Sequence, residues 1–321
     1  MSITIESSRA SQLERSCRCS NMSGRFDKKL ILISILISAA LSGCLSPEGP
    51  YATSSENDSG TGEQIRVAAT IAPLADLVRE VGGDRVEVTV VVPPGAEPHS
   101  FEPTPSLMVR LSRADMYVMN GAGLEFWMDN LLAANRELKM VDSSRGVELL
   151  HEYGEESNPH IWLSLRNSAI QVENICSGLS DLDPDHRDYY AQNRDDYLEK
   201  LHELDKELES RFAAAKGRIF LVQHPAWSYF ARDYGLQQVP LLVEEKEPGP
   251  RYLSRVIDLA KKSNITTVFV EPQFNPKAAE VIAKEMSAQL IILDPLAPDY
   301  LENMRDAGRQ IAQSMQNTGQ G

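Results

Sequence analysis

The chain has 321 residues, with 32 Lys and Arg against 46 Asp and Glu, a formal net charge of −14, and a hydrophobic fraction of 42%. That length fits one large domain or two medium ones, and the apolar fraction excludes wholesale disorder. The acidic balance excludes nucleic acid as a partner, because Lys and Arg form no run beyond short pairs.

The N-terminus stands apart. Arg25, Lys28 and Lys29 precede LILISILISAALS, residues 30–42. This run is shorter than the roughly 20 residues a bilayer span needs. A basic flank, a short apolar stretch and small residues at its end predict an export signal. The signal closes in Leu41-Ser42-Gly43-Cys44, which resembles a lipobox. Cys44 is therefore the expected lipidation site, and the body is expected outside the cytoplasmic membrane. Met22 sits where such a signal would begin, so residues 1–21 read as an over-extended start. Residues 1–43 carry six basic and three acidic side chains, so the acidity belongs to the chain from Cys44 onward. Residues 44–63 are rich in Ser, Gly, Pro and acid and read as a flexible tether. Only Cys176 remains beyond the tether, which leaves no pair for an intramolecular disulfide. Cys176 lies in an amphipathic stretch and reads as a small buried hydrophobe.

From residue 65 strands and helices alternate. Strands are expected at 65–70, 86–92, 116–119 and 139–142. Helices are expected at 74–81, 106–113 and 126–135. The succession predicts an α/β fold with parallel sheets covered by helices. Residues 184–215 have no Pro or Gly between Asp185 and Lys216, and Leu198, Leu201, Leu204 and Leu208 recur at three- and four-residue steps. This predicts one long helix of about 30 residues, roughly 45 Å. Its mid-chain place makes it a connector between an N-terminal lobe, 64–183, and a C-terminal lobe, 216–321. Alternation then resumes, with strands at 218–222, 239–243, 266–270 and 290–293. Helices follow at 226–234, 251–263, 276–287 and 299–315. No strong internal sequence repeat is evident.

Open α/β sheets place ligands outside the carboxyl ends of their strands. Four chemically capable residues sit at such places or in nearby loops: His99, His160, His224 and Asp294, at spacings of 61, 64 and 70. A lone His near a strand end is ordinarily a packing or surface residue. Three of them with a carboxylate, two on each side of the long helix, make a tetrahedral set for a first-row metal. His151, His186 and His202 lie in polar stretches and read as solvated surface.

The flanking sequences point to a family. Pro98-His99-Ser100-Phe101-Glu102-Pro103, Asn158-Pro159-His160-Ile161-Trp162, Gln223-His224-Pro225-Ala226-Trp227 and Leu293-Asp294-Pro295-Leu296 resemble, in order, the ligand motifs of the zinc- and manganese-binding lipoproteins that serve ABC importers. GAGLEFW, residues 121–127, and Phe269-Val270-Glu271-Pro272 are similar to that family too. The resemblance spans about residues 65–315. It implies a two-lobed protein with one metal in the interlobe cleft, held by His99, His160, His224 and Asp294. It also implies an ABC permease as partner and a metal ion as cargo. The chain departs from the family pattern at Asn158, commonly Asp, and at Leu165, commonly Pro, neither expected to touch the ligand. Before the second ligand it has only a short polar run, residues 151–157, where zinc-specialised members often carry a long His-rich loop.

Imidazole suits zinc, whereas manganese favours more oxygen donors. The resemblance implies Glu at the third position in many manganese binders, and here it is His224. Zinc is thus the expected cargo, with manganese the alternative. Glu271 is a candidate to orient a ligating His, and Trp162 and Trp227 are expected to pack around the site. A surface adhesin and an exported zinc hydrolase are the competing readings. The hydrolase lacks support, because four protein donors close the zinc shell and no His-Glu-x-x-His or Gly-x-Ser-x-Gly motif occurs. The protein is expected to be a monomer and no enzyme.

Overall fold

The structure is a computed structural model. It describes residues 64–127, 137–152, 157–242 and 249–316, all within a compact unit, Ser59–Gly321. Cys44, the tether, the signal segment and most of the helix expected at 126–135 lie outside the described residues. No helix among the described residues is long and apolar enough to cross a membrane.

Two four-stranded parallel sheets carry the fold. The first contains β1 (Ile65–Ala69), β2 (Val86–Val90), β3 (Met116–Met119) and β4 (Lys139–Asp142), in the order β2-β1-β3-β4. The second contains β5 (Ile219–Val222), β6 (Gln237–Pro240), β7 (Thr267–Val270) and β8 (Gln289–Ile292), in the order β6-β5-β7-β8. The two orders are the same. A structural repeat therefore exists that the side chains do not reveal, because a fold needs a burial pattern rather than particular residue identities. In each sheet the order reverses between the two central strands, β1 and β3 or β5 and β7. That reversal opens the crevice where α/β sheets bind ligands.

The helices are α1 (Ala72–Gly82), α2 (Pro105–Leu111), α3 (Leu165–Leu182), α4 (Arg187–Phe212), α5 (Ser228–Tyr234), α6 (Pro250–Lys262), α7 (Lys277–Met286) and α8 (Tyr300–Gln316). Helix α3 is absent from the elements expected in chain order, apart from the amphipathic stretch at Cys176. Its start is nonetheless readable: the Ser164 side chain accepts from the Asn167 N–H, an N-cap, and the helix stops ahead of Asp183-Pro184. Cys176 is buried within it.

The long helix α4 is 26 residues, about 39 Å, preceded by a short 3₁₀ turn at Pro184–His186. Its buried stripe is Tyr190, Tyr197, Leu201, Leu204, Leu208 and Phe212. Leu198, expected in the stripe, lies on its flank and is partly buried, because Tyr197 occupies the inward turn. The helix packs on α1, α3, α5 and α8. One continuous apolar core runs from Val67 and Met116 through this stripe to Phe220, Phe269 and Met304.

The closing helix α8 approaches α4 at Gly308, where an added Cβ would overlap the Leu208 side chain. Leu208 is fully buried and has no room to yield. Overpacking costs about 1–3 kcal/mol and outweighs the ~1 kcal/mol of helix propensity that alanine brings. Gly308→Ala should therefore lower the thermal midpoint by a few degrees in a melting scan. An unchanged or higher midpoint would mean that the two helices are not held at this separation.

Candidate metal centre

His224 is the second residue after β5, and Glu271 is the first after β7. These are the two adjacent strands at the reversal of the second sheet. His99 sits in a 3₁₀ turn, Pro98–Ser100, on the long connection after β2. Glu97 caps that turn, its carboxylate accepting from the backbone N–H groups of His99 (2.8 Å) and Ser100 (2.7 Å). His160 precedes a second 3₁₀ turn, Ile161–Leu163.

The fold brings His99, His160 and His224 together, with one ligand atom of each within 4.8 Å of the others. The Nε2 atoms of His99 and His160 lie 3.1 Å apart. Tetrahedral zinc with bonds of about 2.0–2.1 Å requires donors about 3.3 Å apart, so this pair is already at metal-binding spacing. His160 and His224 are 4% exposed, and His99 is partly buried.

Asp294 is not part of this cluster. It stands two residues beyond β8, an edge strand, and its Oδ1 accepts from Gln273 Nε2 (2.8 Å) and the Leu296 N–H (2.9 Å). The carboxylate that reaches the triad is Glu271, whose Oε2 lies 3.3 Å from His224 Nδ1. Proximity to the central strand pair decides this.

Asn158 corrects a sequence expectation. It touches His160 directly: its Oδ1 accepts both from the His160 backbone N–H (3.0 Å) and from His160 Nδ1 (2.8 Å). The backbone donor identifies that atom as the amide oxygen, which can only accept. His160 Nδ1 must then carry the proton, and Nε2 keeps its lone pair toward the cluster. A short polar side chain two residues before a His is the signal that was available. The common Asp and the Asn found here share the same acceptor oxygen.

Tyr229 lies five residues after His224. Its hydroxyl donates to the Asn158 carbonyl (2.8 Å) and accepts from the Leu150 N–H (3.1 Å). It thus ties the helix that follows the third His to the loop that carries the second. Trp162 packs 5.3 Å from the His160 ring, and its Nε1 donates to the Pro295 carbonyl (2.7 Å). The Tyr300 hydroxyl donates to the Trp162 carbonyl (2.7 Å). Trp227 is buried against Phe230. Phe274 covers His224, with ring centres 4.9 Å apart.

Burial first, and the neighbouring His224 second, push the His99 imidazole down to about 4, with Glu97 opposing. Burial also holds His160 well below the ordinary imidazole value, with His224 and His99 adding to it. Both rings are neutral at pH 7 and offer lone pairs. Burial pushes the Glu271 carboxyl up, while His224 partly offsets this. The arrangement is a desolvated set of neutral nitrogen donors beside carboxylates. It suits a borderline-soft divalent cation and offers little to an alkali or alkaline-earth ion.

The family described as zinc-uptake complex component A, periplasmic, matches residues 67–314 of this chain. The high-affinity zinc uptake system protein ZnuA of Bacillus subtilis strain 168 is 29% identical over 253 residues, covering 73% of this chain and 79% of its own. The manganese-binding lipoprotein MntA of Halalkalibacterium halodurans is 31% identical over 241 residues, covering 73% and 80%. A crystal structure of ZnuA superposes with a TM-score of 0.77 at 40% identity, covering 79% of this chain and all of that one. With two matching parallel sheets, the motif order and a triad of histidines, this chain belongs to the family of periplasmic zinc-uptake complex component A proteins.

Proposed function

We propose that the protein captures a divalent metal ion, zinc, outside the cytoplasmic membrane and delivers it to the permease of an ABC importer. The observation that carries this reading is the triad of buried imidazoles, two of them with Nε2 atoms 3.1 Å apart. Asp294 is the fourth donor in this proposal. It exchanges its hydrogen bond from Gln273 for the ion and leaves one net positive charge on a closed four-coordinate shell. With Glu271 Oε2 3.3 Å from His224 Nδ1, the carboxylate in this proposal favours the proton on that nitrogen and so leaves Nε2 for the ion. A closed shell leaves no position for an activated water, so the protein is a carrier and no enzyme. Lipid on Cys44 anchors it to the outer face of the membrane, and it acts as a monomer.

Zinc is favoured over manganese because three of the four donors are imidazole. The manganese-binding name of one relative makes manganese the runner-up. Elemental analysis of the purified soluble body, followed by competition between the two ions for metal-stripped protein, decides between them. One zinc per chain, bound more tightly than manganese, is the expected result. Tighter manganese binding would transfer the reading to the runner-up.

A further inference from the structure

The motif GAGLEFW, residues 121–127, contributes nothing to the triad, yet it occupies the ligand crevice of the first sheet. Thr70 follows β1 and Asn120 follows β3, the two central strands where the order reverses. In the second sheet the matching crevice holds His224 and Glu271. In the first it holds Glu125, 7% exposed, with its carboxylate turned onto its own lobe. The Glu125 oxygens accept from Thr70 Oγ1 and from the backbone N–H groups of Asn120 (2.6 Å) and Gly121 (3.1 Å).

These bonds fold a tight turn in which Gly121, Ala122 and Gly123 have φ of 78°, 54° and 88°. Three successive left-handed residues do not hold this shape unaided, and the carboxylate supplies the fixed acceptor around which they bend. The turn then grips the segment that leads to His160. Asn120 Nδ2 donates to the Pro159 carbonyl (2.9 Å), and Ser157 Oγ donates to the Ala122 carbonyl (2.8 Å).

We propose that Glu125 is a positioning residue for the metal site: it shapes the turn whose Asn120 and Ala122 hold residues 157–159, and thereby fixes His160 within the triad. The inference rests on the metal-binding function proposed for the triad. It assigns the lobe's own ligand crevice to a structural carboxylate, which leaves the second lobe's crevice to face the ion.

The test compares wild type, Glu125→Gln, Asn120→Ala and their double variant. Three measurements are made: zinc affinity by chelator competition, the absorption bands of the cobalt(II)-loaded protein, and the ring-nitrogen resonances of His160 in metal-free protein. Losing a partner that orients a metal ligand typically weakens binding about 10- to 100-fold. Each single variant should weaken zinc binding by about 10-fold and shift both the cobalt bands and the His160 resonances. The double variant should lose little more than either single one, because both act along one path. Should Glu125→Gln fail to fold, Asn120→Ala carries the test, since it leaves the carboxylate and its backbone donors in place. Zinc affinity within about twofold of wild type, or a lower melting point with unchanged cobalt bands and resonances, overturns the proposal. A wild type that binds no zinc overturns the functional reading instead. The metal-free His160 resonances then still decide whether the turn positions the ring.

Discussion

Replacing His160 with alanine is expected to weaken zinc binding by more than about 100-fold, beyond the range typical of losing an outer hydrogen-bond partner. His160 sits at the centre of the triad, with ring centres 5.0 Å from His99 and 4.8 Å from His224. The variant keeps only two imidazoles, and they approach no closer than 5.6 Å between ring centres. Asp294→Ala in the same chelator titration should cost less, because the triad already gathers without Asp294 and the carboxylate must first leave Gln273. A His160→Ala protein that still takes up one tightly bound zinc would remove the triad from the site. Equal losses for the two variants would show that the carboxylate holds the ion as firmly as an imidazole does.

The second large effect concerns acid. In the unfolded chain an imidazole takes up a proton below about pH 6.5. In the folded metal-free protein His99 does so only below about 4. Between these values the unfolded chain binds more protons, so the stability contributed by a neutral His99 is present above pH 6.5 and is lost as pH falls toward 4. A shift of that size corresponds to roughly 3 kcal/mol, and His160 acts in the same direction.

The whole-protein curve is not the readout, because two buried carboxyls work in the opposite sense. Burial pushes Glu125 up to about 7 against its hydrogen-bond donors, and it raises Glu271 as well. Both give stability as pH falls. The measurement is therefore a difference: urea unfolding of metal-free wild type and His99→Gln at pH 7 and at pH 4. Wild type should lose about 3 kcal/mol relative to the variant between the two pH values. An equal pH dependence of the two proteins would mean that His99 is not desolvated in the fold. A related consequence is that zinc uptake at pH 7 should release few protons from His99 or His160.

How much of this was legible in the residues depends on the range of the interaction concerned. The eight strands were readable because alternation and branched side chains act within a few residues. The expected strand at 239–243 is displaced to Gln237–Pro240, since pairing with β5 sets its register and local propensity does not. The three histidines were readable as a set because strand ends in an α/β fold converge. Glu271 as the carboxylate beside a ligating His was readable too, whereas the place of Asp294 outside the histidine cluster was not. Asp294 and Glu271 both follow strands, and only the sheet order puts β7 beside β5 and β8 at the edge.

The sequence alone determined the α/β class, the long mid-chain helix, the family and the three histidines that the fold gathers. These rest on periodicity and on chemistry that travels with the residue. Tertiary structure alone decided that Asn158 fixes the His160 tautomer and that Tyr229 ties the loop carrying His160 to the helix after His224. It also decided that the His beside Glu271 is His224, while Asp294 stands apart. Each of these is a contact between groups that share no local pattern, set by how two sheets with the same strand order pack around one continuous core.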